Sequence, residues 1–361
     1  MKLLPLRDEW FHGAVSLEHR DGGIKPWRIP YRDYELYPPA GIDGKAEICS
    51  GIRLRMHTNA TEAAIGFTPL TDAAAVDCLV DGALVQTLRL PGGATEALFG
   101  GLPGGDKELE LWLPQNIGVT VTGLRIGTMV GDGETGSGKN DGETGGGEAV
   151  GGDMDGGEVF ATPLPDTRPR WITYGSSITQ CVAASSPSRT WPAIAAADNG
   201  FNLTNLGFSG NCHMEPMIGR LIGDLPADFI SLCVGVNIYG AGTLSPRMFK
   251  PLLIGLLATI RDKHRETPLL VISPIHGTVR ETELNALGFT LPMMREAIRE
   301  TVELLQERGD RQLYYQDGLN WLGGEDQALL TDGLHPGAEG YELLGRRFRA
   351  LREAALGARQ L

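Results

Sequence analysis

Residues 131–158 divide the 361-residue chain into two parts that have different patterns of hydrophobic residues. Nearly all of the residues in this stretch are Gly, Asp, Glu, Thr or Ser, and they include eight acids and one lysine. A segment of this composition cannot bury enough apolar surface to offset the entropy that is lost on ordering. We therefore predict a flexible acidic linker over residues 128–160, between one domain at residues 1–127 and a second at residues 161–361.

The first part of the chain is predicted to be all-β because apolar and polar residues alternate along it, as they do in half-buried strands. The clearest runs lie at residues 52–57, 75–80, 83–88, 108–113 and 119–126. The second and third runs flank Asp81-Gly82, a dipeptide that is typical of the tight turn in a β-hairpin. Several short strands joined by turns predict an N-terminal β-sandwich or jelly-roll domain.

A segment that is dense in aromatic residues and arginine lies at residues 27–39. It could form a sugar-binding face, a domain interface or a loop that is packed by its own tyrosines. Aromatic side chains more often supply buried area than ligand contacts, so we favour packing.

After residue 170 the pattern changes to strands that alternate with helices. Strands are predicted at residues 171–174, 202–205, 229–234, 269–273 and 312–315. Helices are predicted at residues 190–198, 215–221, 246–264, 291–307 and 337–356. This alternation predicts an α/β domain with a mostly parallel sheet and helices on both of its faces.

Four loops that follow predicted strands or precede the last helix carry polar residues suited to acyl transfer. In chain order they contain Ser177, Gly210, Asn237 and the pair Asp332 and His335. Serine, histidine and aspartate can supply a nucleophile, a base and an orienting acid, and Gly210 and Asn237 can offer N–H donors to an oxyanion. Each residue alone has an ordinary explanation as a turn or cap residue. A doubly wound sheet brings such loops together at one crevice, which favours a shared site.

These loops resemble the sequence blocks of the SGNH hydrolases, also called the GDSL esterases and lipases. The first block corresponds to Gly175-Ser176-Ser177, with Ser176 in place of the usual aspartate. The later blocks correspond to residues 205–210, 235–237 and 332–336, and Ile238 replaces an aspartate that often follows the third. The resemblance covers residues 170–355. It implies a three-layer, flavodoxin-like α/β catalytic domain.

A narrower resemblance extends to a bacterial subgroup of two-domain SGNH enzymes with an N-terminal β-sandwich. It is carried by Trp27, Arg28, Pro30 and Tyr31, by residues 237–240 and by residues 291–295. The subgroup includes carbohydrate acetylesterases and acyltransferases of natural-product pathways. The long acidic linker is not typical of it.

The resemblance implies a serine esterase in which Ser177, His335 and Asp332 form a catalytic triad, and Ser177, Gly210 and Asn237 form the oxyanion hole. We expect it to hydrolyse short-chain acyl esters, with acetyl on a carbohydrate as the favoured substrate, through an acyl-enzyme. An acyltransferase that uses the same triad to acylate an alcohol of a small molecule is the first alternative. A carbohydrate-binding protein without activity is the alternative from another class.

Further side chains near the four loops are weighed as substrate contacts or rival nucleophiles. The predicted substrate contacts are Tyr239, His276, His213 and Arg295. The two histidines lack an acid at a short fixed spacing, so simple loop roles for them stay open. Cys181 and Cys212 also lie close to the blocks, but Ser177 occupies the better turn for a nucleophile.

The remaining expectations come from composition. The formal net charge is -13 and there is no basic stripe, which argues against nucleic acid as the partner. No apolar run approaches the roughly 18 residues of a membrane span, and residues 1–9 do not form a signal peptide. Five cysteines without a CxxC pair fit a reducing cytoplasm. We expect no metal or organic cofactor and a small ester or acylated sugar as partner, and we leave a homo-oligomer open.

Overall fold

The structure is a computed structural model that describes residues 1–128 and 158–357. Within these ranges it contains two antiparallel β-sheets that pack face to face and one parallel sheet that is covered by helices. Most of the predicted linker, residues 129–157, lies outside the described residues.

The N-terminal region is a β-sandwich. Its first sheet contains β1 (Lys2–Leu4), β3 (Ser16–Arg20), β4 (Gly23–Trp27), β6 (Glu62–Phe67), β9 (Glu96–Phe99) and β11 (Val121–Gly127). Its second sheet contains β2 (Phe11–His12), β5 (Arg53–Thr58), β7 (Ala74–Val80), β8 (Ala83–Leu90), β10 (Lys107–Trp112) and β12 (Ala161–Pro163). Buried apolar side chains from both sheets form the core between them, among them Ile65 and Leu109, each 0% exposed. One short turn, α1 (Ala40–Asp43), is also present in this region.

The predicted hairpin is confirmed, because β7 pairs with β8 across Asp81 and Gly82. Both residues have positive φ, 48° and 79°, as the tight hairpin turn requires. The second sheet also extends past the predicted domain boundary at residue 161. There β12 returns to pair with β5 before the chain enters the parallel sheet.

The C-terminal region is built on a five-stranded parallel sheet in the order β14-β13-β15-β16-β17. The strands are β13 (Arg170–Gly175), β14 (Asn202–Gly207), β15 (Phe229–Cys233), β16 (Leu269–Ile272) and β17 (Leu313–Gln316). Every residue of β15 is buried, as expected for a strand that is covered on both faces. The strand order 2-1-3-4-5 confirms the predicted flavodoxin-like α/β architecture.

Helices cover both faces of this sheet. They are α2 (Ser177–Gln180), α3 (Trp191–Asn199), α4 (Pro216–Asp224), α5 (Val236–Ala241), α6 (Pro246–Arg261), α7 (Leu291–Glu307) and α8 (Ala338–Leu356). Side chains that alternate along β13 reach opposite layers: Trp171 stacks on Phe348 of α8, whereas Tyr174 lies in the core formed with α4, α6 and α7. Among the described residues, no helix is long and apolar enough to cross a membrane.

The aromatic segment at residues 27–39 packs between the two domains. Trp27, Ile29 and Tyr37 are buried in the same cluster as Tyr174 and Phe208 of the C-terminal region. The favoured packing interpretation is therefore confirmed, and the segment lies at the domain interface.

Candidate active site

Ser177 lies at the point where the strand order of the parallel sheet reverses. It lies two residues after the end of β13, whose two neighbours, β14 and β15, lie on opposite sides. The hydroxyl of Ser176 accepts a hydrogen bond from the Ile178 N–H (3.2 Å) and caps α2, so the helix begins at Ser177. A cap of this kind explains why serine can stand at the position where the family block usually has aspartate.

Three predicted side chains form a continuous hydrogen-bonded relay. Ser177 Oγ lies 2.8 Å from His335 Nε2, and His335 Nδ1 lies 2.7 Å from Asp332 Oδ2. A carboxylate accepts hydrogen bonds, so we assign the imidazole proton to Nδ1, which leaves Nε2 free to accept the serine proton. This is the arrangement in which a serine hydroxyl can be activated as a nucleophile.

The acid and the base of this relay share one tight turn. Asp332 Oδ1 accepts hydrogen bonds from the backbone N–H groups of His335 (2.7 Å) and Leu334 (3.0 Å). These bonds, that from His335 above all, lower the pKa of Asp332 to about 2. The carboxylate is therefore ionised at neutral pH. Its side chain is 56% exposed, and contact with water also favours the charged form.

Hydrogen bonds also join the loops that carry the other predicted donors. Gln180, the last residue of α2, accepts from the Ser209 N–H at 2.9 Å, next to Gly210. Asn237 Oδ1 accepts from the Cys212 N–H at 3.0 Å, which leaves the amide NH₂ as the free end of that side chain. The first, second and third loops are thus connected, as an oxyanion hole built from them would require.

The carboxyl end of β14 closely approaches α2, which begins at Ser177. A Cβ atom at Gly207 would lie 2.4 Å from the Gln180 nitrogen, so only glycine fits there. Asn205, which is fully buried, donates to the Thr179 carbonyl (3.0 Å) and accepts from the Gly207 N–H (2.8 Å). Beyond this point Gly210 adopts φ +74°, a conformation that favours glycine.

Two of the predicted substrate contacts hold neighbouring loops. His213 Nε2 lies 3.0 Å from the Gly210 carbonyl and its Nδ1 lies 2.9 Å from Thr243 Oγ1. Tyr239 donates its hydroxyl proton to the Glu283 carbonyl at 3.1 Å. The side chains of both residues therefore form hydrogen bonds with other parts of the protein beside the site.

The other two predicted contacts lie in and behind the loop that follows β16. Arg295 is 5% exposed and donates to the carbonyls of Pro274 (2.7 Å) and Ile275 (2.9 Å), as well as to the Glu281 carboxylate. These bonds favour support of the loop over the predicted contact with substrate. His276, on the same loop, lies 3.5 Å from Glu281 Oε1.

Cysteine is disfavoured as the nucleophile. Cys181 and Cys212 are at most 1% exposed, and burial raises the pKa of both thiols well above the ordinary value. A thiol held in its neutral form is a poor nucleophile. Within the two described ranges, no group of three or more His, Cys, Asp or Glu side chains is arranged to hold a metal ion.

Three residues that support the site were not among the predicted ones. Gln180 could have been found, because helical spacing places it one turn after Ser177. Ser50, which donates to the Gln180 carbonyl at 2.9 Å, and Thr278, which donates to the Gly333 carbonyl at 2.9 Å, come from distant segments without a motif. Only the folded chain reveals these two contacts.

Two family models match the chain. Residues 10–120 match the N-terminal domain of SsfX3, and residues 169–347 match the GDSL-like lipase/acylhydrolase family. A search of curated protein sequences gave no significant match.

Solved structures resemble the whole chain. The salicylyl-acyltransferase SsfX3 from a tetracycline biosynthetic pathway is 32% identical, with 96% of this chain and 94% of that chain covered and a TM-score of 0.83. A family two carbohydrate esterase from Clostridium thermocellum is 14% identical (95% and 98% covered, TM-score 0.64). The acetyl xylan esterase Est2A from Butyrivibrio proteoclasticus is 11% identical (97% and 96% covered, TM-score 0.57). At these lower identities the two esterases show that the fold is shared.

The identity with SsfX3 extends over both domains, and the catalytic blocks lie in the region that the second family model matches. The chain therefore belongs to the GDSL-like lipase and acylhydrolase family, the SGNH hydrolases, in the two-domain form with an N-terminal β-sandwich.

Proposed function

We propose that the protein is a serine-dependent acyl-transfer enzyme with carboxylic ester hydrolase chemistry, in which the acyl group passes through an ester on Ser177. The observation that carries this proposal is the relay from Ser177 through His335 to Asp332, with distances of 2.8 and 2.7 Å. Its position at the reversal of strand order adds support, because ligands of open α/β sheets bind there.

The reaction follows from the atoms of the relay. Ser177 Oγ attacks the ester carbonyl while His335 Nε2 takes its proton and then gives it to the leaving alcohol. Asp332 keeps the imidazole in the required tautomer and stabilises the imidazolium. The N–H groups of Ser177 and Gly210 and the amide of Asn237 stabilise the oxyanion, each donor by about 3 kcal/mol. Water or a second alcohol then releases the acyl group, and no step needs a metal or organic cofactor.

Hydrolysis of short-chain acyl esters is the first candidate, but a carbohydrate as the alcohol part has little support. A sugar ring is commonly recognised by an exposed aromatic side chain. Such a side chain has an apolar face, and in Tyr and Trp it also has a polar group that water can reach. All six tryptophans are at most 5% exposed, and every Phe and Tyr side chain in the described ranges is buried or only partly exposed.

Transfer of the acyl group to an alcohol is the second candidate, supported by the 32% identity with a salicylyl-acyltransferase over nearly the whole chain. Exposed apolar side chains on a segment beside the site also favour it. Residues 277–290 contact the turn that carries Asp332 and His335 through Thr278 and Gly333, and contact α5 through Asn285 and Tyr239. The exposed apolar side chains on this segment are Val279 (53%), Leu284 (64%) and Leu287 (40%). Side chains of this kind suit an apolar acyl donor or acceptor better than a sugar.

The test is the release of p-nitrophenol and acetic acid from p-nitrophenyl acetate, with and without added alcohols. We expect Ser177→Ala and His335→Ala to lower kcat by at least about 10³-fold. The matched control is Ser245→Ala, at the start of α6, which should behave as wild type. Faster p-nitrophenol release with an alcohol and no matching acetic acid would identify a transferase. Near-full activity of Ser177→Ala would contradict the proposed nucleophile.

A further inference from the structure

The edge of the parallel sheet is covered by arginine side chains in place of another strand. β14 is an edge strand, so alternate carbonyl groups along it have no partner within the sheet. Arg53 of the sandwich donates to the Leu203 carbonyl at 3.2 Å. Arg28 of the sandwich donates to the carbonyls of Asn205 (3.3 Å) and Gly207, at the end that leads to residues 208–211, which we call the oxyanion loop.

The Arg28 side chain is fully buried although it carries a charge, which is unusual for arginine. It is 0% exposed, its remaining acceptor is the Lys45 carbonyl (2.6 Å), and its guanidinium lies 4.7 Å from the centre of the Phe208 ring. Among the described residues, its acceptors are all backbone carbonyls and none is a carboxylate, and burial lowers its pKa to about 9. A buried cation without a counter-ion is costly, and its bonds to the three carbonyl groups are what offset that cost.

Ser50 reaches the same loop from the nucleophile side. It is fully buried, its hydroxyl donates to the Gln180 carbonyl (2.9 Å), and it accepts from Asn205 Nδ2 (3.0 Å). The side chain of Gln180 in turn accepts from the Ser209 N–H at 2.9 Å, one residue before Gly210. The hydroxyl of Ser50 thus ties the end of α2 to the end of β14.

Gly210 has no side chain to hold it, and it adopts a positive φ. Its carbonyl lies 3.0 Å from His213 Nε2, which holds the far side of the loop. On the side of its N–H, the position of Gly210 depends on the strand end that precedes it and on the bond from the Ser209 N–H to Gln180.

We propose that Arg28 and Ser50 are positioning residues, through which the N-terminal sandwich fixes the Gly210 N–H relative to Ser177. The sandwich would then be part of the catalytic scaffold, and not a separate carbohydrate-binding module. This inference rests on the proposed function, because it assigns Gly210 to the oxyanion hole.

The experiment measures kcat and KM of the full chain on p-nitrophenyl acetate for Arg28→Lys, Arg28→Met and Ser50→Ala. We expect kcat to fall about 10- to 100-fold for Arg28→Met and Ser50→Ala, with KM within about 2-fold, because a displaced donor weakens only the transition state. Arg28→Lys keeps the cation and should recover part of the loss. The pH profile should keep its shape, because Asp332 and His335 are held by other contacts.

The matched control is Arg53→Met, since Arg53 is also buried, crosses the same interface and bonds the same strand, at its amino-terminal half. It should lower the unfolding temperature while kcat per folded molecule stays within about 3-fold. Wild-type kcat in folded Arg28→Met and Ser50→Ala would overturn the inference, as would an equal loss in Arg53→Met. If Arg28→Met fails to fold, Ser50→Ala and Arg28→Lys decide the matter.

The proposed function is checked separately by Ser177→Ala in the same assay. An active Ser177→Ala enzyme would contradict the proposed function itself. An inactive Ser177→Ala enzyme beside fully active Arg28 and Ser50 variants would contradict only the positioning inference.

Discussion

Asp332 has two roles on one exposed turn, because its two oxygens face different groups. One oxygen accepts from His335 Nδ1, and the other accepts from the backbone N–H groups of Leu334 and His335. The second set of bonds fixes the carboxylate by local structure alone, so the acid does not need burial to be held in place. The placement of Asp332 beside His335 could be predicted from their spacing of three residues, because both side chains lie within one turn.

We predict that Asp332→Asn lowers kcat about 10²- to 10⁴-fold, because the amide can still accept from the backbone but no longer fixes the imidazole tautomer or stabilises the imidazolium. The folded pKa of Asp332, about 2, lies below the ordinary value of 3.8. The carboxylate is thus charged above about pH 4, and its contribution to stability is lost as the pH falls towards 2. This contribution is small, since solvent screens a half-exposed group.

The measurement is the ratio of wild-type to Asp332→Asn kcat on p-nitrophenyl acetate at about pH 8, where the carboxylate of the wild type is ionised. A ratio below about 10 would contradict the role assigned to the charge of Asp332.

Helices and strands could be predicted from the spacing of hydrophobic residues wherever the local sequence signals agreed with burial. The helix predicted at residues 291–307 is observed as α7 with the same ends, because Thr290 caps it through the Met293 N–H and proline follows in the first turn. Residues 273–290 have no such period, and their course is set by contacts with segments far away in sequence. Thr278, for instance, bonds Gly333, 55 residues later, and no local pattern predicts that contact.

We predict that Thr278→Val lowers kcat about 5- to 10-fold with little change in KM. Thr278 has φ +27°, rare for a β-branched residue, and its hydroxyl donates to the Gly333 carbonyl at 2.9 Å. Valine keeps the shape but loses this bond, so the turn that carries Asp332 and His335 is free to shift.

Steady-state kinetics on the same ester would measure the effect, with Thr278→Ser expected to restore activity because it keeps the hydroxyl. Thr282→Val, at an exposed threonine of the same segment, is the control. Equal activity of Thr278→Val and Thr282→Val would show that the bond to Gly333 does not position the turn.

At the scale of the whole molecule, the sequence predicted two fold classes but not how they join. Both domains show their periodicity clearly, whereas the interface depends on single polar residues such as Ser50, which carry no periodic signal. The return of β12 to the first domain was likewise invisible, since three residues are too few to show alternation. The proposed catalytic residues lie in local motifs and could be predicted, whereas the contacts that hold their loops could not.

Among the contacts between the two domains, we expect those of Asp77 to contribute most to stability. It is 0% exposed on β7 of the sandwich, and its Oδ2 accepts from the Ser186 hydroxyl (2.6 Å) and from the N–H (2.8 Å) and hydroxyl (2.6 Å) of Ser188. Oδ1 accepts from Thr87 at 2.6 Å. Four donors converge on one side chain, and an amide in its place would turn an NH₂ towards some of them.

We predict that Asp77→Asn lowers the free energy of unfolding by about 1 to 3 kcal/mol, because at least one of the four donors loses its acceptor. Urea unfolding of wild type and variant would measure this difference. The kcat per folded molecule should stay within about 3-fold, since Ser186 and Ser188 bond neither the relay nor the oxyanion loop. Asp72→Asn, at an exposed aspartate of the same domain, is the control. An unchanged midpoint in Asp77→Asn would show that other contacts hold the domains together.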